Sequence, residues 1–405
     1  MNVGIVTTWF ERGAAIVSRA YVDVLKQRHK VFVYARGGER YARDDEKWNN
    51  PYVTWGKVVR YSDTAVDWRD FQRWVASNGI ELLIFNEQQS WDIILRSLKL
   101  NIVLGAYVDY YTSETYRFFS LYDFLLCNTM RHYNLFKDHP GAMFIPWGTD
   151  LQVFRPRPRN RTGHETVFFH SCGVSAYRKG TDILVKAFRK VSGSARLAIH
   201  SQGRLNGEVQ TLAEIAADPR IKLIEEEASG PGLYQLGDVY VYPSRLDGLG
   251  LTIAEALASG LPVITTDSPP MNEFVVDGFN GKLVDVAMFS RRSDDYYWPM
   301  SICNETKLAD AMQFFVDNRS DIERFRLQAR EDAEAKLDWR KNAESLPSIV
   351  ERLSHRKQTD LELVKAVARY DRRRNRYPPW VEPLTPLLRR LGIARARRKL
   401  REFSS

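Results

Sequence analysis

The chain has few cysteines. Its three, Cys127, Cys172 and Cys303, show no C-x-x-C spacing. That excludes a dense disulfide framework, argues against a Cys-rich metal site and makes a reducing compartment the default. No apolar run approaches the roughly 20 residues of a spanning helix. Met1 to Phe10 is apolar but has no basic leader and soon reaches Glu11 and Arg12. It reads as a buried strand rather than a secretion signal, so the expected compartment is the cytoplasm. There is no internal repeat of fixed short period and no low-complexity stretch beyond one basic region. What is present is apolar and aromatic: 44% hydrophobic, with Trp 10, Tyr 19 and Phe 20. A disordered chain lacks such content, and this one can build large cores. At 405 residues the expectation is two or three domains.

The net charge of +9 is unevenly placed. From Arg352 to Ser405 there are sixteen Lys or Arg and five Asp or Glu, against forty-three and forty-five before it. The body is nearly neutral and the tail is basic. Such a tail points to an anionic partner, a membrane surface or a polyanion. After Pro378-Pro379, leucines recur near helical spacing among arginines (Leu384, Leu387, Leu388, Leu391, Leu400), which suits an anionic membrane interface. No nucleic-acid motif accompanies them. The expectation is packing on the body up to about Arg369 and membrane or partner contact beyond Pro379.

Short apolar runs alternate with helical patterns. Asn2–Val6, Val31–Tyr34, Leu82–Phe85, Ile102–Ala106, Phe124–Cys127 and Met143–Ile145 lack polar alternation, as parallel strands covered on both faces do. Ser18–Gln27 and Trp68–Asn78 carry helical spacing between them. After the polar, proline-bearing stretch Arg155–Arg161, which reads as a linker, the pattern restarts. Strands are expected at Thr166–His170, Arg196–His200, Lys222–Ile224, Val239–Tyr242, Pro262–Thr265 and Gly281–Val284. Helices are expected at Lys179–Val191, Glu208–Ala217, Leu251–Ser259, Thr306–Val316 and along Asp321–Leu353. The predicted class is α/β: a doubly wound domain over 1–155, a second over 162–340 and helices with a basic tail over 341–405. Ligands of open parallel sheets bind beyond the carboxyl ends of the strands, so the cleft left between two such domains is the expected site.

The most informative segment runs from Asp238 to Thr266. A strand ends near Tyr242, a loop carries Gly248 and Gly250, and a helix starts near Leu251. Glycine lets the backbone approach a ligand closely, and free N–H groups at a helix start favour an anion such as a diphosphate. Asp247 and Glu255 bracket that start. At 1.5 Å rise per helical residue plus an extended loop, the two acids would lie about 10 Å apart, suiting a sugar hydroxyl at one end and a ribose diol at the other. The plainer reading is that Glu255 solvates a helix and the glycines turn the chain. The G-x-G here lacks the third glycine of a dinucleotide fingerprint.

This segment resembles the donor-site signature of the family 4 glycosyltransferases, retaining enzymes of the two-domain GT-B fold. In that signature two acids separated by seven residues flank a glycine-rich loop, as Asp247 and Glu255 do. Ile145–Pro156 (IPWGTDLQVFRP), Lys179–Phe188 (KGTDILVKAF) and Asn272–Gly281 (NEFVVDGFNG) are similar to further blocks of the family, in its order. The resemblance implies two Rossmann-like domains facing a cleft, with C-terminal helices returning to the first domain. It implies that Glu255 holds the nucleotide ribose, that Asp247 holds donor-sugar hydroxyls, and that Gly248, Leu249, Gly250 and Leu251 offer backbone groups. Lys179 would neutralise the leaving diphosphate, so no metal and no other cofactor is implied. Transfer on the donor's front face would need no enzymic nucleophile.

Departures accompany the match. The first acid is usually glutamate; here it is Asp247. An arginine usually follows the glycine before the lysine; here Gly173 is followed by Val174, and Arg178 is the nearest substitute. The first-domain loop usually has paired glycines; here Gly13 stands alone, as a phosphate-facing turn or a merely structural one. No histidine follows the strand ending near Tyr107, where Asp109 is the nearest polar candidate for the catalytic set beside Asp247 and Lys179; it is equally a strand-end carboxylate.

Four other constellations carry less. His170 and His200 end apolar strands and read as structural. Glu225-Glu226-Glu227 lies where the family places the nucleobase, though charge runs are usually solvated. Asp294-Asp295 has no further ligands nearby in sequence and reads as a surface loop, with Tyr296, Tyr297 and Trp298 as a potential acceptor lip. Tyr107, Tyr110, Tyr111, Tyr116, Phe118 and Phe119 read as acceptor-side or core. The resulting expectation is a cytoplasmic retaining glycosyltransferase, peripheral at the inner membrane face. Its partners would be a nucleoside diphosphate sugar and a glycan or lipid-linked acceptor. The rivals are a sugar-nucleotide epimerase or hydrolase of the same architecture and a polyanion-binding scaffold.

Overall fold

A computed structural model describes residues 1–36, 41–59, 64–158, 164–205, 209–228, 230–355 and 360–374. The chain divides into two compact units. Residues 1–127, 135–144 and those from 344 onward form the first; 128–134 and 145–343 form the second. The second unit thus begins earlier in the chain than the proline-bearing stretch at 155–161, of which 155–158 are described and exposed.

In the first unit the strands are β1 (Asn2–Thr7), β2 (Lys30–Ala35), β3 (Val53–Trp55), β4 (Leu82–Asn86), β5 (Val103–Tyr107), β6 (Phe124–Cys127) and β7 (Ala142–Phe144). They form one parallel sheet in the order β3-β2-β1-β4-β5-β6-β7. Every residue of β4, β5 and β6 is buried, which is why these runs show no polar alternation. The helices are α1 (Gly13–Leu25), α2 (Trp68–Ser77), α3 (Asp92–Ser97) and α4 (Met130–Phe136), whose first residues cluster with the second unit. Helix α1 starts five residues before the expected Ser18, because its buried stripe opens with Ala14 and Ala15, which carry little apolar signal. Strand β3 and helix α3 were too short to announce themselves.

The second unit repeats the plan with β8 (Thr166–Gly173), β9 (Ala195–Ser201), β10 (Ile221–Glu225), β11 (Val239–Tyr242), β12 (Val263–Thr266) and β13 (Gly281–Val284). Their order is β10-β9-β8-β11-β12-β13, again all parallel. Helices α5 (Thr181–Arg189), α6 (Val209–Ala217), α7 (Leu251–Ala258), α8 (Glu305–Asp317) and α9 (Ile322–Lys336) complete it, with an antiparallel hairpin of β14 (Val286–Ser290) and β15 (Met300–Cys303) that was not foreseen. The core under α5 and α8 joins Phe168, Leu184, Phe188, Leu197, Met312, Phe315 and Phe325, none more than 1% exposed. Each such side chain contributes about 2 kcal/mol relative to leaving it in water. The helical pattern expected over 321–353 breaks into α9 and two short helices, Trp339–Asn342 and Leu346–Val350. Asp338 caps the first by accepting from Arg340 N, and Pro347 sits in the first turn of the second.

The C-terminal helices return to the first unit. Pro347 O meets His29 Nε2 at 2.9 Å, Asp371 of the helix Leu361–Arg374 accepts from Trp91 N at 3.0 Å, and Tyr370 meets Phe118 edge-on. The leucine and arginine pattern from Leu384 to Leu400 lies outside the described residues. Among the described residues no helix is long and apolar enough to cross a membrane.

Candidate functional site

Two loops of the second unit converge, the one between β8 and α5 and the one between β11 and α7. In the first, Gly180 stands at φ +73° immediately before α5. A Cβ there would lie 2.1 Å from Pro243 O, so the two loops touch backbone to backbone and only glycine fits. Its left-handed conformation also explains why α5 starts at Thr181 rather than at the expected Lys179. In the second loop Gly250 stands at φ +87° before α7 and brings no side chain to the helix start, leaving its first amides to other acceptors.

Charged groups stitch these loops together. Arg245 N donates to Arg178 O at 2.8 Å, and Arg178 Nη1 donates to Leu246 O at 3.4 Å. The Arg245 guanidinium grips Asp182 bidentately at 2.7 and 2.6 Å and also donates to Tyr177 O. That is the strong, planar form of an ion pair, made with a side chain only 5% exposed.

Lys179 Nζ lies 2.5 Å from Asp247 Oδ2, both side chains largely buried, and both groups meet the Tyr242 hydroxyl. Asp247 Oδ1 faces Leu249 N at 3.4 Å. Burial pushes the Asp247 carboxyl up, but the cations of Lys179 and Arg178 and the hydrogen bonds from Lys179 and Tyr242 outweigh it and hold it well below the usual carboxylate range. Burial lowers the Lys179 ammonium to about 8, against the opposing pull of Asp247. The lysine and the acid expected to face a donor therefore face each other here.

Glu255 lies one turn inside α7, half-buried, and accepts from Tyr234 Oη at 2.6 Å. It does not point into an apolar interior. Gly173 ends β8 at φ +57° with open space where a Cβ would stand, and its carbonyl accepts from Gln202 N at 3.0 Å. Val174 beside it is 77% exposed. Gly13 opens α1 and Asp109 follows β5, both in the first unit, apart in assignment from the cluster just described.

Residues 128–134 bring two groups that sequence reasoning missed, Arg131 and His132, and Glu273 holds their helix. The Arg131 guanidinium donates to Asp247 O and Pro269 O, and lies 5.5 Å from the Trp298 ring centre. His132 Nε2 meets Gly248 O at 3.2 Å; burial, then the Arg131 charge, push its pKa well below the ordinary value, so it donates as a neutral ring. Glu273 accepts from Met130 N and Arg131 N at 2.6 and 2.8 Å and so caps the start of α4. Arg131 and His132 thereby hold the backbone carbonyls of the Asp247–Gly248 turn.

The lesser constellations resolve plainly. His170 and His200 are hydrogen-bonded within the fold. Glu225 accepts from Leu205 N at 2.7 Å. Asp294 pairs with Arg292, and among the described residues no group of three His, Cys, Asp or Glu could hold a metal. Tyr107, Tyr111, Phe118 and Phe119 are buried core, whereas Tyr116 is 38% exposed.

Residues 165–294 match the family described as Glycosyl transferases group 1. That part of the chain is similar to the group 1 glycosyltransferases. The lipopolysaccharide core biosynthesis mannosyltransferase LpsB of Rhizobium meliloti is 29% identical over 163 residues, 35% of this chain and 44% of its own length. The GDP-mannose-dependent alpha-(1-6)-phosphatidylinositol monomannoside mannosyltransferase of Mycobacterium tuberculosis is 31% identical over 177 residues, 37% of this chain and 44% of its own length. The matched part is therefore less than half of either relative. Among solved structures, Anabaena HepE in complex with UDP and glucose superposes over 87% of this chain and 100% of its own at a TM-score of 0.68 and 17% identity. Sucrose-phosphate synthase of Thermosynechococcus elongatus does so over 87% and 98% at 0.63 and 15%. At these identities the likeness is one of fold, and the fold is GT-B.

Proposed function

We propose that this chain is a retaining, metal-independent glycosyltransferase. It moves a sugar from a nucleoside diphosphate sugar to a hydroxyl of a cell-surface glycan or lipid-linked acceptor. The observation that carries this reading is the Lys179–Asp247 pair beside the glycine-opened start of α7. A largely buried ammonium next to the positive end of a helix suits a diphosphate. On this reading the diphosphate takes Lys179 from Asp247, which frees the carboxylate to accept hydroxyls of the donor sugar. Glu255, at the other end of the loop and first turn, accepts from the ribose diol.

The bond that breaks joins the anomeric carbon to a diphosphate oxygen. The bond that forms joins the same carbon to the acceptor oxygen, on the same face, and the acceptor's proton passes to the leaving phosphate oxygen. Lys179 and the α7 amides stabilise the charge that develops on that leaving group, which is work a metal does elsewhere. The mannosyltransferase relatives, and HepE with its bound UDP and glucose, agree with a sugar-nucleotide donor.

The test is a thermal-shift and calorimetric screen of nucleoside diphosphate sugars, followed by turnover of the best binder with Glu255→Ala. Loss of two hydrogen bonds to a charged group is expected to lower turnover efficiency by about 100-fold or more. Full activity in a folded variant sinks the role. Product anomers resolved by nuclear magnetic resonance test retention, and persistence of activity in a chelator tests metal independence. Turnover without any acceptor would reassign the chain to epimerisation or hydrolysis.

A further inference from the structure

Three tyrosines are buried beneath the loop that opens α7. Tyr240 and Tyr242 point to the same face of β11, two residues apart, and stack with ring centres 5.6 Å apart and planes 21° from parallel. Tyr234 meets Tyr240 edge-on, also at 5.6 Å, and Phe169 closes the group 5.8 Å from Tyr240. The rings form an apolar column, and its two ends serve different acids. At one end the Tyr242 hydroxyl donates to Asp247 Oδ2 and accepts from the Lys179 ammonium. At the other, Tyr234 Oη donates to Glu255 Oε2 at 2.6 Å. Each carboxylate flanking the loop thus has its own tyrosine, and the stacked rings fix the spacing between the two hydroxyls.

Burial, and after it the neighbouring carboxylate, push the ionisation of both phenols far up, so both remain donors across the working pH range. With Lys179 and Tyr242 on Oδ2 and Leu249 N near Oδ1, both oxygens of a short side chain are directed.

We propose that Tyr242 and Tyr234 are positioning residues for a nucleoside diphosphate sugar, Tyr242 setting the Lys179–Asp247 pair at the sugar and diphosphate end and Tyr234 setting Glu255 at the nucleoside end. This rests on the donor reading of the site given above. Neither tyrosine need touch the reacting atoms; each acts through the acid it holds.

Replacing Tyr by Phe keeps the rings and the column and removes only the hydroxyl. The experiment titrates the full chain and its Tyr242→Phe and Tyr234→Phe variants by calorimetry with UMP, GMP, UDP-glucose and GDP-mannose. Tyr234→Phe is expected to weaken the monophosphate and the matching diphosphate sugar by the same factor, roughly tenfold. Tyr242→Phe is expected to leave the monophosphate within twofold and to weaken the diphosphate sugar roughly tenfold. A second readout needs no nucleotide: acylation of Lys179 by an amine-reactive ester, followed by peptide mass spectrometry against pH. Loss of an acceptor on the ammonium is expected to move its midpoint below about 8 by about one unit in Tyr242→Phe and not in Tyr234→Phe. Equal losses for both ligands in Tyr242→Phe, or an unmoved Lys179 midpoint, overturn the positioning role while leaving the donor reading intact. A wild-type chain that binds none of the four probes overturns the donor reading and the positioning role with it.

Discussion

Strands β1 and β8 hold the same place in their sheets, each flanked by the second and fourth strand of its own unit. Each is tied to the helix that follows it and to the strand beside it, but by different chemistry. In the first unit Ser18 Oγ of α1 meets Thr7 Oγ of β1 at 2.9 Å, and Asn86 of β4 donates to Ser18 Oγ at 2.7 Å and to Ala14 O at 2.9 Å. None of these groups titrates near neutrality. In the second unit His170 of β8 reaches Val241 O of β11 at 2.8 Å and Thr181 Oγ of α5 at 2.9 Å. A neutral imidazole fits both, with Nδ1 donating to the carbonyl and Nε2 accepting from the hydroxyl. The correspondence extends to the strand ends. Arg12, just before α1, pairs with Glu87, just after β4, at 3.1 Å, the two side chains 40% and 18% exposed. Lys179, before α5, pairs with Asp247, after β11, and those side chains are 12% and 14% exposed. One strand order thus carries two versions of the same pair of contacts. A shared scaffold fixes where such contacts fall, and burial decides what they can do.

The sharpest way to break this comparison is to remove the cation from each pair. An exposed pair contributes between nothing and about 1 kcal/mol, so Arg12→Ala is expected to change stability by no more than that and donor turnover by less than tenfold. On the proposed reading Lys179 serves the leaving group, so Lys179→Ala is expected to lower kcat by about 100- to 1,000-fold. Wild-type turnover should also fall above about pH 8 as the Lys179 ammonium loses its proton. Steady-state kinetics of the two variants at matched fold stability decide the matter. Comparable losses would mean that burial is not what separates the two pairs.

The two strand ties differ in pH response. Burial lowers the His170 pKa to about 4 from its ordinary value near 6.5. Below pH 6.5 the unfolded chain therefore binds a proton that the folded chain refuses. Stability of the second unit is expected to fall as pH drops from about 6.5 to about 4, by a total on the order of 3 kcal/mol from this group. The Thr7–Ser18–Asn86 tie brings no such dependence to the first unit. Hydrogen exchange read peptide by peptide at pH 7 and pH 4.5, corrected for intrinsic rates, should show protection lost in β8, β11 and α5 and kept in β1, β4 and α1. His170→Gln should flatten the loss. Equal loss in both units would remove histidine as its cause.

Much of the scaffold was legible because buried parallel strands are apolar along their whole length, as β4, β5 and β6 are. What escaped was short or locally unmarked: β3 with three residues, α3 with six, α4 with seven, and the β14–β15 hairpin. Around the α7 start, Asp247, Glu255 and the glycines were marked by spacing, since a helix start needs its glycine and acids within one turn and one loop, whereas Lys179 was marked only by the family resemblance. Their partners were not. Tyr234 is 21 residues from Glu255, Tyr242 is 63 from Lys179, and Arg131 is 116 from Asp247. No local pattern reports such distances, and Tyr240 and Tyr242 within Val239–Tyr242 read as strand propensity. The one available signal was their period of two, which puts both rings on one face.

The smallest expected effect separates the two glycine turns of the second unit at Gly173 and Gly180. Gly180 is fixed by sterics, because a methyl group there would meet Pro243 O at 2.1 Å. Gly173 also has positive φ, +57°, but open space where its Cβ would stand. Gly173→Ala should therefore cost only the left-handed backbone penalty, about 1 kcal/mol, and leave a folded chain. If the open space exists for neighbours alone, donor affinity will not change. If it is where a nucleotide's phosphates pass the backbone, a single methyl group will weaken binding well beyond the stability change, since a ligand that approaches a glycine closely has no slack for a side chain. Denaturant unfolding and calorimetry on the same preparation measure both terms. A drop in stability with no drop in affinity would place the donor away from the end of β8, with Lys179 and the α7 amides left to hold its phosphates.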